Sequence, residues 1–322
     1  MVYRKSAGEN NNRDYMLYVS IFFFITVLTI VTIFSYNIES YSASLSTEDN
    51  QTINLNSIET KKIQVGDIDV AYKMLGNGSP ILLINGFSAP LDFWDPTLIS
   101  KLASNHTVIT FDNRGIGNTT SGNKQFSIRQ FADDTSRLME ALKIKKADII
   151  GWSMGGMIAQ EVALSNPDKV GKLIIYASTC GTNQSVAPSP EVVDIFSNQS
   201  GNMMEMLQRF LPLLFPDHWR NSNPNFIQEL PKSSEVAPIE TLKLQTQAII
   251  NWTGTCDRLG SITQPALVLV GTDDVLTVPA NSILMAEKIP GSWLVQIKGG
   301  GHAMMMQYPD KFTNIVDTFL HS

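Results

Sequence analysis

Gly151-Trp152-Ser153-Met154-Gly155-Gly156 sets a serine among glycines at the boundary between two patterns. Ala147-Asp148-Ile149-Ile150 ahead of it reads as a short buried strand, and Met157 to Leu164 behind it has helical spacing. So tight a strand-to-helix turn forces its serine into a strained backbone conformation, and the glycines leave room for strand and helix to approach. The hydroxyl is then held at the end of a sheet, where the first N–H groups and the dipole of the helix favour a developing oxyanion. A serine hydroxyl attacks a carbonyl only when a base takes its proton and a third group orients that base. Of four histidines, His106 precedes a strand, His218 lies in a proline-rich helical stretch and His321 is one residue from the end. Only His302, in Lys298-Gly299-Gly300-Gly301-His302, follows a strand on a loop free to reach across the sheet. Asp273 and Asp274 follow the strand ending at Val270, so the order along the chain is serine, acid, histidine.

The elements that position these residues are legible as hydrophobic patterns. Ile63 to Val65 and Ile68 to Tyr72 alternate around Gly66-Asp67, which predicts a hairpin at a sheet edge. Ile81 to Ile84, Val108 to Phe111, Leu173 to Ala177, Ala266 to Gly271 and Trp293 to Ile297 are continuous apolar runs. Such runs alternating with helical segments predict a parallel sheet buried on both faces, with its site beyond the carboxyl ends of the strands. Ser127-Ile128-Arg129-Gln130 is a capping box opening a helix to about Leu142, and Phe312 to Leu320 is expected to close the fold as a helix. Between 182 and 255 prolines punctuate apolar helical stretches with no strand-like run, so this segment is expected to be an inserted helical cap.

The composition bounds the rest. The 322 residues are 43% hydrophobic and 17% charged with a net charge of −6, which leaves no basic surplus for nucleic acid. Two cysteines exclude a cysteine-rich metal site. Residues 1–14 are polar and carry Arg4, Lys5 and Arg13, and no charge then appears from Tyr15 to Ile38, a run long enough for a bilayer core that needs about 20 residues. The expectation is a cytoplasmic segment 1–14, a transmembrane anchor or signal peptide 15–38, a flexible linker 39–60, a core of 61–181 with 256–322, and a cap of 182–255. The positive-inside rule then puts the domain outside the cell membrane, on a single-pass anchor or secreted after signal cleavage.

From Lys62 to its end the chain resembles the α/β-hydrolase superfamily with a helical cap: a mostly parallel central sheet flanked by helices. Gly-Trp-Ser-Met-Gly-Gly is similar to the elbows of esterases, enol-lactonases and cofactor-free perhydrolases, and the order serine, acid, histidine is that superfamily's. The resemblance implies Ser153 as nucleophile, His302 as base and Asp274 as the orienting acid, because the usual acid stands third after the strand-end glycine, here Gly271. It implies backbone N–H groups of Phe87 and Met154 as oxyanion donors, with Asn85-Gly86 standing where relatives commonly have His-Gly. Asp112, Arg114, Gly115 and Gly117 are similar to a structural loop of the family. The implied reaction is hydrolysis of a small to medium apolar carboxylic ester, lactone or thioester through an acyl-enzyme, with no metal or organic cofactor. A perhydrolase or haloperoxidase using the same three residues, and a ligand receptor retaining them, are the alternatives. Trp94, Met157, Phe215, Trp219, Trp252 and Met304 are candidates to line an apolar pocket, against the plainer expectation that they pack the core. Cys180 and Cys256 stand at the entry and exit of the cap, where they form either a disulfide or two buried thiols.

Overall fold

The structure, a computed structural model, describes residues 53–322 apart from 182, 183, 199, 202, 234 and 236. The apolar run 15–38 and most of the expected linker lie outside the described residues; among those described, no helix is long and apolar enough to cross a membrane.

Eight strands form one sheet: β1 (Lys61–Val65), β2 (Ile68–Leu75), β3 (Ser79–Ile84), β4 (His106–Phe111), β5 (Ala147–Trp152), β6 (Val170–Tyr176), β7 (Ala266–Gly271) and β8 (Trp293–Ile297). Their order is β1-β2-β4-β3-β5-β6-β7-β8. β1 and β2 pair antiparallel around Gly66, whose φ of 60° suits the tight hairpin, and β2 is antiparallel to β4. All pairings from β4 across to β8 are parallel.

The apolar runs are continuous because both faces of the sheet are covered. Ile149 of β5 and Val268 of β7 join a core cluster with Phe131, Ile158 and Met285, whereas their neighbours Ile150 and Leu267 join another with Leu98, Phe312 and Val316. Neighbouring strand residues therefore point into different cores, and each large side chain so buried contributes about 1.5–3 kcal/mol. The helices Ile128–Ala141, Met154–Ser165 and Pro279–Lys288 supply the first cluster; Pro96–Ala103 and Pro309–Leu320 supply the second.

Several local expectations need correction. Ser127 accepts the Gln130 N–H at 3.0 Å, but the Gln130 amide turns to Asp134 at 2.9 Å, so only half of the capping box forms. The final helix begins at Pro309, a residue pre-set for a first helical turn, ahead of the expected Phe312. Residues 53–58, read as the end of a flexible linker, are packed on the domain. Leu55 is buried, its carbonyl accepts from the buried Lys73 ammonium at 2.8 Å, and the Ile53 N–H donates to Ser100.

Five α-helices stand between β6 and β7 among the described residues: Pro190–Ser197, Met203–Leu214, Asp217–Ser222, Phe226–Glu229 and Ile239–Ile250. Phe215, Trp219 and Phe226 pack ring to ring at 5.0–5.4 Å and carry the second core cluster into this layer.

Candidate active site

Ser153 sits between β5 and the helix Met154–Ser165 with φ 57° and ψ −118°, a conformation that costs a non-glycine residue of order 1–3 kcal/mol. It persists because the turn is over-determined. The Ser153 N–H donates to the Tyr176 carbonyl at 2.9 Å, and its own carbonyl accepts from Ser178 Oγ at 2.8 Å. No side chain fits at the flanking glycines: a Cβ on Gly155 would stand 2.0 Å from the Ile84 carbonyl oxygen, and one on Gly156 2.5 Å from the Cβ of Ser178.

A Cβ on Gly86 would lie 3.0 Å from the Cβ of Ser153 and 3.6 Å from its Oγ, so the Gly86-Phe87 backbone passes directly over the serine. Of the N–H groups there, Ser88 donates to Gln245 Oε1 at 2.9 Å and Ala89 to Gly86, while the Phe87 N–H has no partner among the described residues. The Met154 N–H opens the helix and belongs to the turn whose donors have no intrahelical acceptor. Asn85, in place of a histidine, closes the loop by donating to the Pro90 carbonyl at 2.7 Å. Asp112 holds the loop from below, accepting from the Leu91 N–H at 2.7 Å and the Asn118 N–H at 3.0 Å.

The His302 Nδ1 lies 2.9 Å from Asp274 Oδ2, both residues almost fully buried. Asp273, one residue earlier, turns outward to the exposed His218 at 3.7 Å. Asp274 is held on its other oxygen by the N–H groups of Leu276 and Thr277, each at 2.9 Å, and Thr277 Oγ1 donates to Oδ2 at 2.7 Å. Burial alone would raise this carboxyl, yet the charge and hydrogen bond of His302, with the Thr277 donors, hold it below its ordinary value. An ionised acid on Nδ1 fixes the tautomer that leaves Nε2 to accept a proton. The His302 carbonyl accepts from Trp152 Nε1 at 3.0 Å and from the Tyr176 hydroxyl at 2.8 Å, so the loop is bonded to the strand that delivers Ser153. The other histidines have different work: His106 bonds Ser79, and His321 bonds a helix-end carbonyl.

The six residues named for an apolar pocket fall in the two core clusters. Trp94 and Met304 are fully buried beneath the sheet end, Trp94 edge-on to Trp152 at 6.4 Å. Phe215 and Trp219 stack on each other in the same cluster as Trp94. Met157 is buried in the elbow helix, while Trp252 donates its indole N–H to the buried Glu161 at 2.9 Å. Sequence reasoning missed Phe196, whose ring lies 5.1 Å from that of Phe87, and Gln245; a ring or amide inside a helical repeat carries no signal of what it faces. A cavity of about 540 Å³ opens between cap and acid loop, lined by Val192, Pro212, Pro216, Asp273, Val275 and Val278. Cys180 and Cys256 are joined as a disulfide, with the Thr255 N–H bonded to the Cys180 carbonyl at 2.7 Å.

Comparison with known proteins agrees with this fold. Residues 79–223 match the family model for the alpha/beta hydrolase fold. A putative carbamate hydrolase RutD of Azorhizobium caulinodans is 31% identical over 255 residues, 78% of this chain and 94% of that protein. A pimeloyl-[acyl-carrier protein] methyl ester esterase of Aeromonas hydrophila is 25% identical over 263 residues, 79% of this chain and all of that one. The crystal structure of the enol-lactonase from Burkholderia xenovorans LB400 superposes with a TM-score of 0.71 at 24% identity, over 81% of this chain and 100% of that one. The chain is an α/β hydrolase, a member of the α/β-hydrolase fold family.

Proposed function

We propose that the protein is a serine hydrolase of small to medium apolar carboxylic esters or lactones. The observation that carries this reading is the buried His302–Asp274 pair, whose loop is bonded through Trp152 to the strained turn presenting Ser153. In the proposed reaction His302 takes the Ser153 proton as Oγ attacks the carbonyl carbon, and the oxyanion is held by the N–H groups of Phe87 and Met154. His302 returns the proton to the leaving alkoxide, then activates a water that releases the acyl group. The apolar surroundings of the loop, with Phe87 against Phe196 and Phe93 stacked on Trp152, support an uncharged acyl group. Among relatives, an esterase and a carbamate hydrolase support attack at a carbonyl carbon carrying a heteroatom leaving group.

The domain is further proposed to work outside the cytoplasm, held by the apolar run 15–38 or released from it. The disulfide between Cys180 and Cys256 supports this, since such bonds persist in oxidising compartments. The mass of the mature protein distinguishes an anchor from a removed signal.

Turnover of p-nitrophenyl esters from acetate to decanoate by the full chain, beside Ser153→Ala, tests the activity. A chain-length optimum lost in the variant is expected; equal turnover by both proteins overturns the reading.

A further inference from the structure

The oxyanion loop is not held by the sheet alone. Ser88, immediately after Phe87, has a φ of 61°, unusual for a residue with a side chain, and its N–H donates 2.9 Å to Oε1 of Gln245. Gln245 lies 157 residues away, in the helix Ile239–Ile250 that precedes β7. Because the Ser88 partner is a donor, the amide must present its oxygen there, which fixes the orientation of the side chain. Gln245 is completely buried, and its Nε2 has no partner among the described residues. A buried amide left half satisfied costs about 1–3 kcal/mol, so this glutamine is a poor choice for packing. Among the described residues its one side-chain hydrogen bond goes to the loop that passes over Ser153.

We infer that Gln245 is a positioning residue for the oxyanion site: the cap helix, through this one acceptor, fixes the Phe87–Ser88 peptide and, through the Phe87 dihedrals, restrains the Phe87 N–H one peptide earlier. The inference rests on Ser153 being the nucleophile. The bond fixes the peptide after Phe87, and a donor must point at the position of the oxyanion, not of the ground-state carbonyl. Loss of the acceptor frees Ser88 to leave its left-handed conformation, which rotates the Phe87–Ser88 peptide and, through the Phe87 dihedrals, displaces the N–H of Phe87. The consequence falls on the transition state and leaves substrate binding intact.

The test uses the full chain, p-nitrophenyl butyrate and an alkyl trifluoromethyl ketone. Ser153 Oγ adds to the ketone carbon, His302 takes the proton, and the resulting hemiketal oxyanion occupies the site without turnover. Gln245→Met keeps the length of the side chain but removes the acceptor, and Gln245→Asn keeps an amide too short to reach. Both are expected to lower kcat by roughly 10- to 100-fold with KM within about threefold, and to weaken the ketone by the same factor as kcat. Thr241→Val, buried one turn earlier on the same helix, controls for disturbance of the cap and is expected to stay within about threefold of the parent. The inference is overturned by kcat within threefold in folded Gln245 variants, by a loss confined to KM, by an equal loss in Thr241→Val, or by unfolding of both Gln245 variants. Undiminished turnover by Ser153→Ala would instead remove the serine reading beneath it.

Discussion

Trp152 donates its indole N–H to the carbonyl of His302 at 3.0 Å, so the residue that precedes the serine also anchors the backbone of the histidine. The Tyr176 hydroxyl shares that carbonyl at 2.8 Å and accepts the Met305 N–H at 3.2 Å. Tyr176→Phe keeps the ring packed on Phe312 and removes both bonds, leaving the Met305 N–H buried without this acceptor. A loss of about 1–3 kcal/mol is expected in urea unfolding. The proposed reaction also predicts a fall in kcat exceeding the change in KM, and equal kcat in the two proteins would detach this bond from catalysis.

The elbow glycines make a sharper prediction because the obstruction is backbone. Gly155→Ala would drive a Cβ into the Ile84 carbonyl, whereas at Gly291, φ 69°, an added Cβ meets nothing within 4 Å. Gly155→Ala is expected to lose more than about 3 kcal/mol or fail to fold, because neither strand nor helix can yield in a packed core. Gly291→Ala loses only the left-handed strain of about 1–2 kcal/mol. Thermal unfolding of the two variants side by side reads the difference.

These glycines also mark what the sequence can and cannot disclose. Ser153, Asp274 and His302 are visible because each ends an apolar run, and strand ends converge on one edge of a parallel sheet. The Gly-x-Ser-x-Gly-Gly pattern is visible because close backbone approach leaves no other residue type. The insertion of β4 between β2 and β3 is not visible, since strand order depends on pairing at long range. Nor is the role of Gln245, because an amide in a helix looks the same whether it faces solvent or the serine loop. The packing of 53–58 was hidden for a similar reason: its polar composition resembles a linker, and what fixes it in place is buried Leu55 with the distant Lys73, Ser100 and Lys232.

Asp112 predicts a pH signature. Burial, reinforced by Asp92 and Glu235, pushes its carboxyl up to about 6 from 3.8, against the N–H donors of Asn118 and Leu91. Between about pH 4 and 6 the folded state therefore binds more protons at this site than the unfolded state, and stability from this group falls as pH rises through that window. Asp274 has the opposite sign: its depressed folded value contributes stability above the ordinary carboxylate range, lost as pH falls below it. Asp112→Asn retains an acceptor oxygen and is expected to flatten the slope between pH 4 and 6. Urea unfolding at pH 4.5, 5.5 and 6.5 measures it, and an unchanged slope would assign the dependence elsewhere.

Arg114 is fully buried between Asp67 and Asp134, with bonds of 2.7–2.9 Å to both. Its hydrogen bonds hold Asp67 well below the ordinary carboxylate range, despite some opposing desolvation. Removing the cation leaves Asp134 buried without its partner, so Arg114→Met is expected to lose about 3–5 kcal/mol. Restoring part of that loss with Asp134→Asn in the same chain would locate the penalty in the uncompensated carboxylate, whereas additive losses from the two changes would place it in packing.

The Cys180–Cys256 bond joins positions 76 residues apart, at the two ends of the helices that lie between β6 and β7. In the chain-entropy model a loop of that length stabilises the fold by about 4 kcal/mol, by restricting the unfolded chain more than the folded one. The folded ends are also held without the bridge, since the Thr255 N–H donates to the Cys180 carbonyl and Arg258 with Trp252 engages the buried Glu161. Reduction is therefore expected to lower the melting temperature while leaving ester turnover at 25 °C nearly unchanged. Alkylation of denatured, unreduced protein is expected to label no thiol, and two labelled thiols would refute the bridge. A reduced protein that melts at the same temperature would show that the local bonds, not the covalent link, set the stability of the cap junction.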